Sequence, residues 1–591
     1  MSMGSVSPQA KSTGDRKKKI ALGVGGIVLL VLLCCCVVAA VVIFLDPFRL
    51  HLLDRLTGRY DAAATAMPAD TEAYVGVNIV NLANPKTSQL IDVFAQATGN
   101  ENIRDTATLQ QELDKTMQEQ YGVSVSKDFT PWIGQYVGVG MTGVGFDENG
   151  QPLTPEWVVA IESRDNGRAD EFLAYLRDQI AKTQDVTFAE SEYGGAKIYS
   201  SQTEQAPRQI AFTRSGSVVL IGTNTSSIQN SVDAQNNKMT LADNRYFRSL
   251  LAELPSGRVA TLYFSGAQIE SLLGQLVKMP LGANAQSFTN LPFQEMVIAW
   301  SIVDAGMQLD AVYAYDPTKL SDYQKEAMKY TGMKPKTDGL FPGSTVLYVS
   351  GQHLDLAMKV NQDVLSKLGS AQDFAESMMM LEEQTGIDIQ NDLIQYLNGE
   401  YAFGVFSSSQ GFLAESLKIN LGASILFESK ASSELRVTLE KLNTAISMSG
   451  DIAVGETQAG GISLYELTDP GSDMKVAVYG LTDQYLVLST GSDSVAEMFG
   501  GGSKLSQSSR YQQTVQALPK DMALTMYLDL EGLLGMIKEG LGAMGVRDTT
   551  SFDEAIGSLK PIKAIAIAAS PVRKDVGRNT VLILVPTGAS R

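Results

Sequence analysis

The sequence predicts an α+β protein, with one N-terminal transmembrane helix followed by a tandem-duplicated ectodomain of antiparallel or mixed sheets with packed helices. Three observations lead there. Residues 20–45 form an uncharged run long enough to cross a bilayer. Beyond it the same motifs occur twice at a nearly constant spacing. Short apolar runs of strand type follow one another, with amphipathic runs of helical period interspersed. That is the α+β pattern rather than strict βαβ alternation.

The run reads IALGVGGIVLLVLLCCCVVAAVVIFL and is preceded by Arg16, Lys17, Lys18 and Lys19. At about 1.5 Å per residue it crosses a hydrocarbon core of roughly 30 Å with some tilt. Lipid offers no partner to backbone polar groups, so one uninterrupted helix is expected. A secretory signal has an apolar region of about 7–15 residues followed closely by a small-residue cleavage site. Here the run is longer, and Ala64-Thr65-Ala66 lies beyond Arg49, Asp54, Arg55 and Arg59. An uncleaved signal anchor is therefore expected. Lys11 and Arg16–Lys19 before the run outnumber Arg49, Arg55 and Arg59 after it. This asymmetry puts the N-terminus in the cytoplasm and the remainder outside the plasma membrane.

Residues 1–19 are expected to form a disordered basic tail. Cys34–Cys36 read as lipid-facing packing, with acylation or an interchain contact as the alternative. Val31, Leu32 and Leu33 lack the small residue of a lipoprotein cleavage site. Gly23, Gly25 and Gly26 offer a small-residue face for a homodimer through the transmembrane helix. Residues 46–66 read as a juxtamembrane helix and linker. Asp46-Pro47 supplies the cap and first position, Phe48, Leu52 and Leu56 an apolar stripe, and Gly58 the stop. That helix lies at the membrane surface or packs on the first domain, and Tyr60–Ala66 reads as linker.

A chain of 591 residues needs more than one core. Its net charge of −18 is unfavourable for nucleic acid, and the basic tail makes the rest more acidic still. All three cysteines lie in the membrane run, so the ectodomain has no disulfide, no Cys-based zinc site and no Cys nucleophile.

The repeat divides the ectodomain into a first unit, 67–317, a connecting helix and linker, 318–340, and a second unit, 341–588. Gly122-Val123-Ser124-Val125-Ser126-Lys127-Asp128-Phe129-Thr130-Pro131-Trp132-Ile133 matches Gly386-Ile387-Asp388-Ile389-Gln390-Asn391-Asp392-Leu393-Ile394-Gln395-Tyr396-Leu397 at an offset of 264. Glu162-Ser163 matches Glu428-Ser429, and Gly194-Gly195 matches Gly460-Gly461, each at 266. Arg245-Tyr246 matches Arg510-Tyr511, and Leu254-Pro255 matches Leu518-Pro519.

The physical pattern repeats as well. Apolar runs Trp157–Ile161 and Ala423–Phe427 read as buried strands. Ala169, Leu173, Leu176 and Ile180 make one helical face, as do Leu435, Leu439, Leu442 and Ile446. A Gly-Gly turn then leads to a strand ending in Tyr199 or Tyr465. Hairpins follow, Ile210–Thr213 with Val218–Gly222 and Val476–Tyr479 with Tyr485–Ser489. Strands are expected around Leu262–Phe264 and Met526–Leu528. Each unit closes with a hairpin, Met296–Val303 with Gln308–Tyr315 and Ile562–Ala568 with Thr580–Val585. The linker has a helix-like middle, Ser321–Lys329.

The Gly-x-x-x-x-x-Asp-apolar-x-x-aromatic-aliphatic block, an opening like Met67-Pro68-Ala69-Asp70-Thr71-Glu72-Ala73-Tyr74-Val75, and a later Leu-Pro before a Tyr-bearing strand resemble the bacterial family called domain of unknown function 3352. The resemblance covers most of the ectodomain and implies a membrane-anchored envelope protein. It brings no catalytic or ligand residues. The second unit opens with Phe341-Pro342-Gly343-Ser344-Thr345-Val346 and is the more diverged match.

Catalytic vocabulary is sparse. His51 and His353 have no acidic and serine partners around them. Gly138-Val139-Gly140-Met141-Thr142-Gly143 spells GxGxxG but runs on into Val144-Gly145-Phe146 and a turn, which describes a glycine-rich strand entering a hairpin. Gly500–Gly502 reads as a flexible turn. Ser124-Val125-Ser126-Lys127 matches S-x-x-K, yet a helix start capped by Ser126 accounts for it. Glu162 and Glu428 would form a carboxylate pair if the units faced each other; otherwise each ends a strand and helps begin the next helix. Asn224-Thr225-Ser226 is a glycosylation sequon, or a loop and helix cap. Met378–Met380, in an amphipathic helical pattern with Phe374 and Leu381, reads as core, with a binding groove as the alternative. No catalytic, cofactor-binding or metal-ligating residue is assigned, and no cofactor is expected. A non-enzymatic envelope binder or scaffold for a protein or cell-wall partner is the first expectation. A hydrolase using carboxylates or a Ser-Lys pair, and a passive spacer or chaperone-like module, are the alternatives.

Overall fold

The computed structural model describes residues 61–586, apart from 99–102, 145–152, 185, 203–208, 271–290, 368–375, 377, 378, 381, 384 and 547–548. The basic tail, the membrane run with its cysteines and glycines, and the juxtamembrane helix with His51 all lie outside these residues. Among the described residues no helix is long and apolar enough to cross a membrane.

Among the described residues the architecture is α+β, with a large sheet of twenty strands. The first ten are β1 (Ala73–Asn78), β2 (Ile133–Thr142), β3 (Glu156–Ser163), β4 (Thr187–Tyr193), β5 (Ala196–Gln202), β6 (Ala211–Ser215), β7 (Val218–Gly222), β8 (Arg258–Ser265), β9 (Phe293–Val303) and β10 (Gly306–Tyr315). The second ten are β11 (Leu347–Gln352), β12 (Glu400–Phe406), β13 (Gly422–Glu428), β14 (Ala453–Ala459), β15 (Ile462–Asp469), β16 (Met474–Leu481), β17 (Tyr485–Ser489), β18 (Ala523–Asp529), β19 (Ala564–Ala569) and β20 (Val576–Leu584).

Pairing in the first half runs β4-β5-β6-β7-β3-β2-β1-β8-β9-β10. In the second it runs β14-β15-β16-β17-β13-β12-β11-β18-β19-β20. Every strand pairing among the described residues is antiparallel. The last strands of the two halves, β10 and β20, pair with each other from Gly306↔Leu584 to Ala314↔Val576 and make the sheet continuous. All the expected hairpins are present. β4 and β14, polar strands ahead of the Gly-Gly turns, were not expected.

Helices pack on both faces. One face buries Tyr74, Tyr263, Val297 and Val312 against helices Thr225–Asn237 and Arg245–Ala252, through Ile228, Val232, Phe247 and Leu250. In the second half the same face buries Tyr348, Tyr527, Ala566 and Leu582 against Ser492–Phe499 and Ser509–Ala517. The opposite face carries Val77, Val137 and Ile161 beneath helix Asn166–Gln184, which contributes Ala169, Phe172 and Leu173 as its period requires. Leu435 and Leu439 of Ser432–Ser449 do the same in the second half. The linker helix is Asp322–Met328, capped by Ser321.

The segment expected as linker ahead of Met67 is part of the core. Ala62, Ala63, Ala64 and Ala66 are buried, and Ala64–Ala66 is a 3-10 turn. Small side chains allow that close approach. Asp61 is buried with them; its Oδ1 accepts from the amides of Ala63 and Ala64 at 3.1 and 3.2 Å, and Oδ2 accepts from the Tyr74 hydroxyl at 2.9 Å. Gly76 and Gly138, cross-strand partners, make room. A Cβ on Gly138 would sit 2.6 Å from Tyr74 Cε2, and one on Gly76 2.7 Å from Asp61 Oδ2.

Candidate functional site

Strand β10 reverses the polarity expected of its two sides. Its alternation of fully and half-buried residues is regular, but Gln308 and Asp310 lie on the fully buried side. Met307 and Leu309 lie on the half-exposed side. The buried polar pair is satisfied across the seam. Asp310 Oδ1 accepts from Arg578 Nε and Nη2 at 3.3 and 3.0 Å and from the Thr580 hydroxyl, while Gln308 Nε2 donates to Oδ2 at 2.7 Å.

On the other side, neighbouring strands extend the apolar residues into rows. Met307 lies opposite Ile302 and Ile583, and Leu309 opposite Trp300 and Val581. Ile583 and Val581 face Ile565 and Ile567 in turn. All of these are half-buried. Over the β9–β10 end of this surface lies helix Pro85–Thr98. Between helix and sheet is a groove of about 330 Å³ walled by Leu90, Ile91, Phe94, Ala95, Ile103, Trp300, Ile302 and Met307, with Thr87 the polar member. Thr87 is 4% exposed and its Oγ1 has no hydrogen-bond partner. At the β9–β10 turn Lys86 pairs with Asp304.

A second concavity, about 480 Å³, opens beside helix Thr225–Asn237 and is lined by Asp70, Glu156, Asp233, Asn230 and Asn237 over Met67 and Val158. Two of its three carboxylates are engaged locally: the Tyr193 hydroxyl donates to Asp233 at 2.7 Å and Asn224 Nδ2 to Glu156 at 2.9 Å. Among the described residues no cluster of His, Cys, Asp and Glu is placed to hold a metal ion.

The family model for a protein of unknown function, DUF3352, matches residues 24–585. The chain belongs to the DUF3352 family. No curated protein matches the sequence. Among solved structures, crystal form III of TP0453 is 11% identical, with 44% of this chain and 83% of that chain covered and a TM-score of 0.23. Crystal form I of TP0453 gives 10%, 43%, 79% and 0.21 for the same quantities. Scores this low carry no argument about this chain.

In this DUF3352 protein the residues that read as chemistry are kept apart. Glu162 and Glu428 stand on β3 and β13, with ten strands between them, roughly 50 Å at about 4.8 Å per strand. Neither begins a helix. Glu162 Oε2 accepts the amides of Gln135 and Tyr136 at 2.7 and 3.0 Å where the β2–β3 register shifts, and Glu428 Oε2 accepts the amide of Glu400 at 3.0 Å. A bulge leaves amides without ladder partners, and a carboxylate supplies the acceptor. Ser124, not Ser126, caps the following turn, which is a π-turn over Val125–Phe129. Ser124 Oγ donates to Asp114 at 3.2 Å, and Lys127 is exposed.

The remaining candidates are structural. Gly138–Thr142 belongs to β2, a glycine-rich strand paired with β3, as expected. Gly500–Gly502 follows helix Ser492–Phe499 as a turn. Asn224 caps helix Thr225–Asn237. His353 stacks on Tyr330 with ring centroids 3.8 Å apart. Met379 and Met380 are 57% and 56% exposed rather than core, and Met378 lies outside the described residues. The groove itself escaped sequence reasoning. Its one signal is the inverted polarity of Met307-Gln308-Leu309-Asp310, which reads as an ordinary strand until the buried side is known.

Proposed function

We propose that this is a single-pass, membrane-anchored envelope protein whose extracytoplasmic part binds a ligand and performs no reaction of its own, with the groove beside the seam as its binding seat. The observation that carries the reading is the inverted β10. Folding alone would favour Met307 and Leu309 inside and Gln308 and Asp310 out. An arrangement that holds two polar groups in the core and leaves apolar rows half-exposed suits a surface meant for contact. Pockets of roughly 300–1,000 Å³ with mostly apolar walls and few polar groups are ordinary ligand sites.

Anchoring rests on residues 20–45, and the family match begins within them. The body begins by Asp61, which keeps it close to the bilayer on the extracytoplasmic side that the basic tail favours. We further propose that units 67–317 and 341–588 descend from one duplicated unit, joined by 318–340. Common strand order supports this. So do shared landmarks: Tyr74 opposite Tyr263 and Tyr348 opposite Tyr527. Leu241 N donates to Met67 O and Leu505 N to Phe341 O, both at 2.8 Å.

A photo-crosslinking amino acid at Ile91, in the full chain in intact envelopes, tests the reading. An adduct is expected there and not from the same group at Glu253, which lies on a loop outside the groove. Equal yields at both positions, or none at either, would remove the groove as binding seat.

A further inference from the structure

We propose that the first half carries a second binding site, apart from the groove beside the seam, for an aliphatic zwitterion: a free amino acid or a short peptide with both ends uncapped. It is a concavity of about 370 Å³ between the π-turn Val125–Phe129 and helix Asn166–Gln184. That volume is ordinary for a small-molecule site. The base is an aromatic stack. Phe172 packs on Phe129 and Trp132 with ring centroids 4.5 and 5.1 Å apart, and Trp132 Nε1 donates to Asp128 O at 2.7 Å. The rim carries charges of both signs, Lys127 and Arg168 beside Asp128 and Glu171.

The second half shows which group belongs on Asp128. There the matching π-turn is Ile389–Leu393 and the matching helix Ser432–Ser449. At the repeat offsets of 264 and 266, Asp392 stands for Asp128 and Lys441 for Tyr175. Lys441 Nζ lies 3.2 Å from Asp392 Oδ2, so the helix itself brings a primary ammonium to the carboxylate. In the first half nothing on the helix does so. Tyr175 instead donates its hydroxyl to Gly122 O at 2.8 Å. Asp128 Oδ2 accepts the Ser124 amide at 2.7 Å, and Oδ1 has no hydrogen-bond partner among the described residues. An incoming ammonium would gain a charge-assisted bond there. The other differences complete the ligand. Asn391 and Glu434 occupy the positions of Lys127 and Arg168, so two cations are peculiar to the open concavity. Lys127 is exposed and makes no ion pair among the described residues, while Arg168 meets Asp165 at 3.6 Å. Both are placed to take a carboxylate. Phe172 and Pro131, where the second half has Thr438 and Gln395, wall the space for an aliphatic body. A plain amine would leave both cations unanswered, and a plain carboxylic acid would leave Asp128 so.

Calorimetric titration of the full chain in detergent at low salt, with L-leucine and L-alanyl-L-leucine as probes, tests the assignment. Saturable binding of at least one is expected, and the tighter of the two tells whether the site takes the amino acid or the peptide. N-acetylation of that probe should weaken binding about ten-fold or more, and amidation of its carboxylate should do the same. Lys127→Met should narrow the gap between the free acid and the amide while leaving the effect of N-acetylation in place. Tyr175→Lys restores the ammonium that the second half uses and should abolish binding with the fold intact by thermal midpoint. Tyr175→Phe, which removes only the bond to Gly122, should bind as the wild type does. No saturable heat from either probe, equal affinity for the N-acetyl form, or binding that survives Tyr175→Lys would overturn the proposal. Should Tyr175→Lys unfold the chain, the modified probes and Lys127→Met decide the matter alone.

Discussion

Asp310→Asn keeps the shape of a fully buried side chain and removes its charge. In the native seam its two oxygens accept from Arg578, Thr580 and Gln308. An amide offers one oxygen where two were used and turns its own N–H groups toward donors. Arg578, whose side chain is 15% exposed, then stays in the interior without its counter-charge. Breaking one partner of a buried pair costs about 3–5 kcal/mol. Arg578 retains some access to water, so the loss should lie at the low end, about 3 kcal/mol. The β10–β20 ladder itself is backbone and survives. Replacing the pair together, Asp310→Leu with Arg578→Met, removes both charges and should recover about 2 kcal/mol, less than all because Gln308 and Thr580 lose their acceptor. Urea denaturation followed by tryptophan fluorescence measures both. A single substitution costing under about 1 kcal/mol, or a double no better than the single, would refute the view that this charge pair holds the seam.

Three further substitutions, with one control, test other parts of the fold. Burial raises the Asp61 carboxyl above its ordinary value, against the lowering effect of the bonds from Tyr74, Ala64 and Ala63. The native state therefore holds its proton to higher pH than the unfolded chain, and stability falls as pH rises from the ordinary carboxyl value to the raised one. Asp61→Asn removes that slope, so thermal midpoints of variant minus wild type should climb across this window and then level; a flat difference would contradict it. Gly138→Ala drives a methyl into the immobile ring of Tyr74 and should cost about 1–3 kcal/mol in urea denaturation. Gly257→Ala, with open space around it, serves as the control and should stay within about 0.5 kcal/mol. Lys504 donates to the carbonyls of Met498, Gly500 and Glu497 at 2.6, 3.0 and 3.3 Å. Lys504→Met leaves those acceptors unpaired and should cost about 1–2 kcal/mol, read as a shift in the urea midpoint; no shift would mean that water replaces the ammonium.

Much of the secondary structure could be read from local periods. Helices Asn166–Gln184 and Ser432–Ser449 announce themselves by a 3.6-residue apolar stripe, and Ser215-Gly216 by turn chemistry between two apolar runs. β4 and β14 escaped because these largely exposed edge strands carry Glu190, Glu192 and Glu456 in place of an apolar alternation. Asp61–Ala66 read as linker because alanine is indifferent to burial by composition; only the glycine pair across from it leaves room for it to dock. Met379 and Met380 followed a helical period but point outward, since period locates a stripe and not what covers it.

The family, the α+β class, the hairpins and the recurrence of one set of motifs are legible in the order of residues alone. That β10 meets β20, that Asp310 and Arg578 are thereby buried as a pair, and that Met307, Leu309 and Trp300 end up beside a groove emerges with the folded sheet. Helical and strand periods are set by neighbours a few residues apart, whereas the edge left free by each half, and the side of it that is covered, depends on contacts between residues 268 positions apart in the chain.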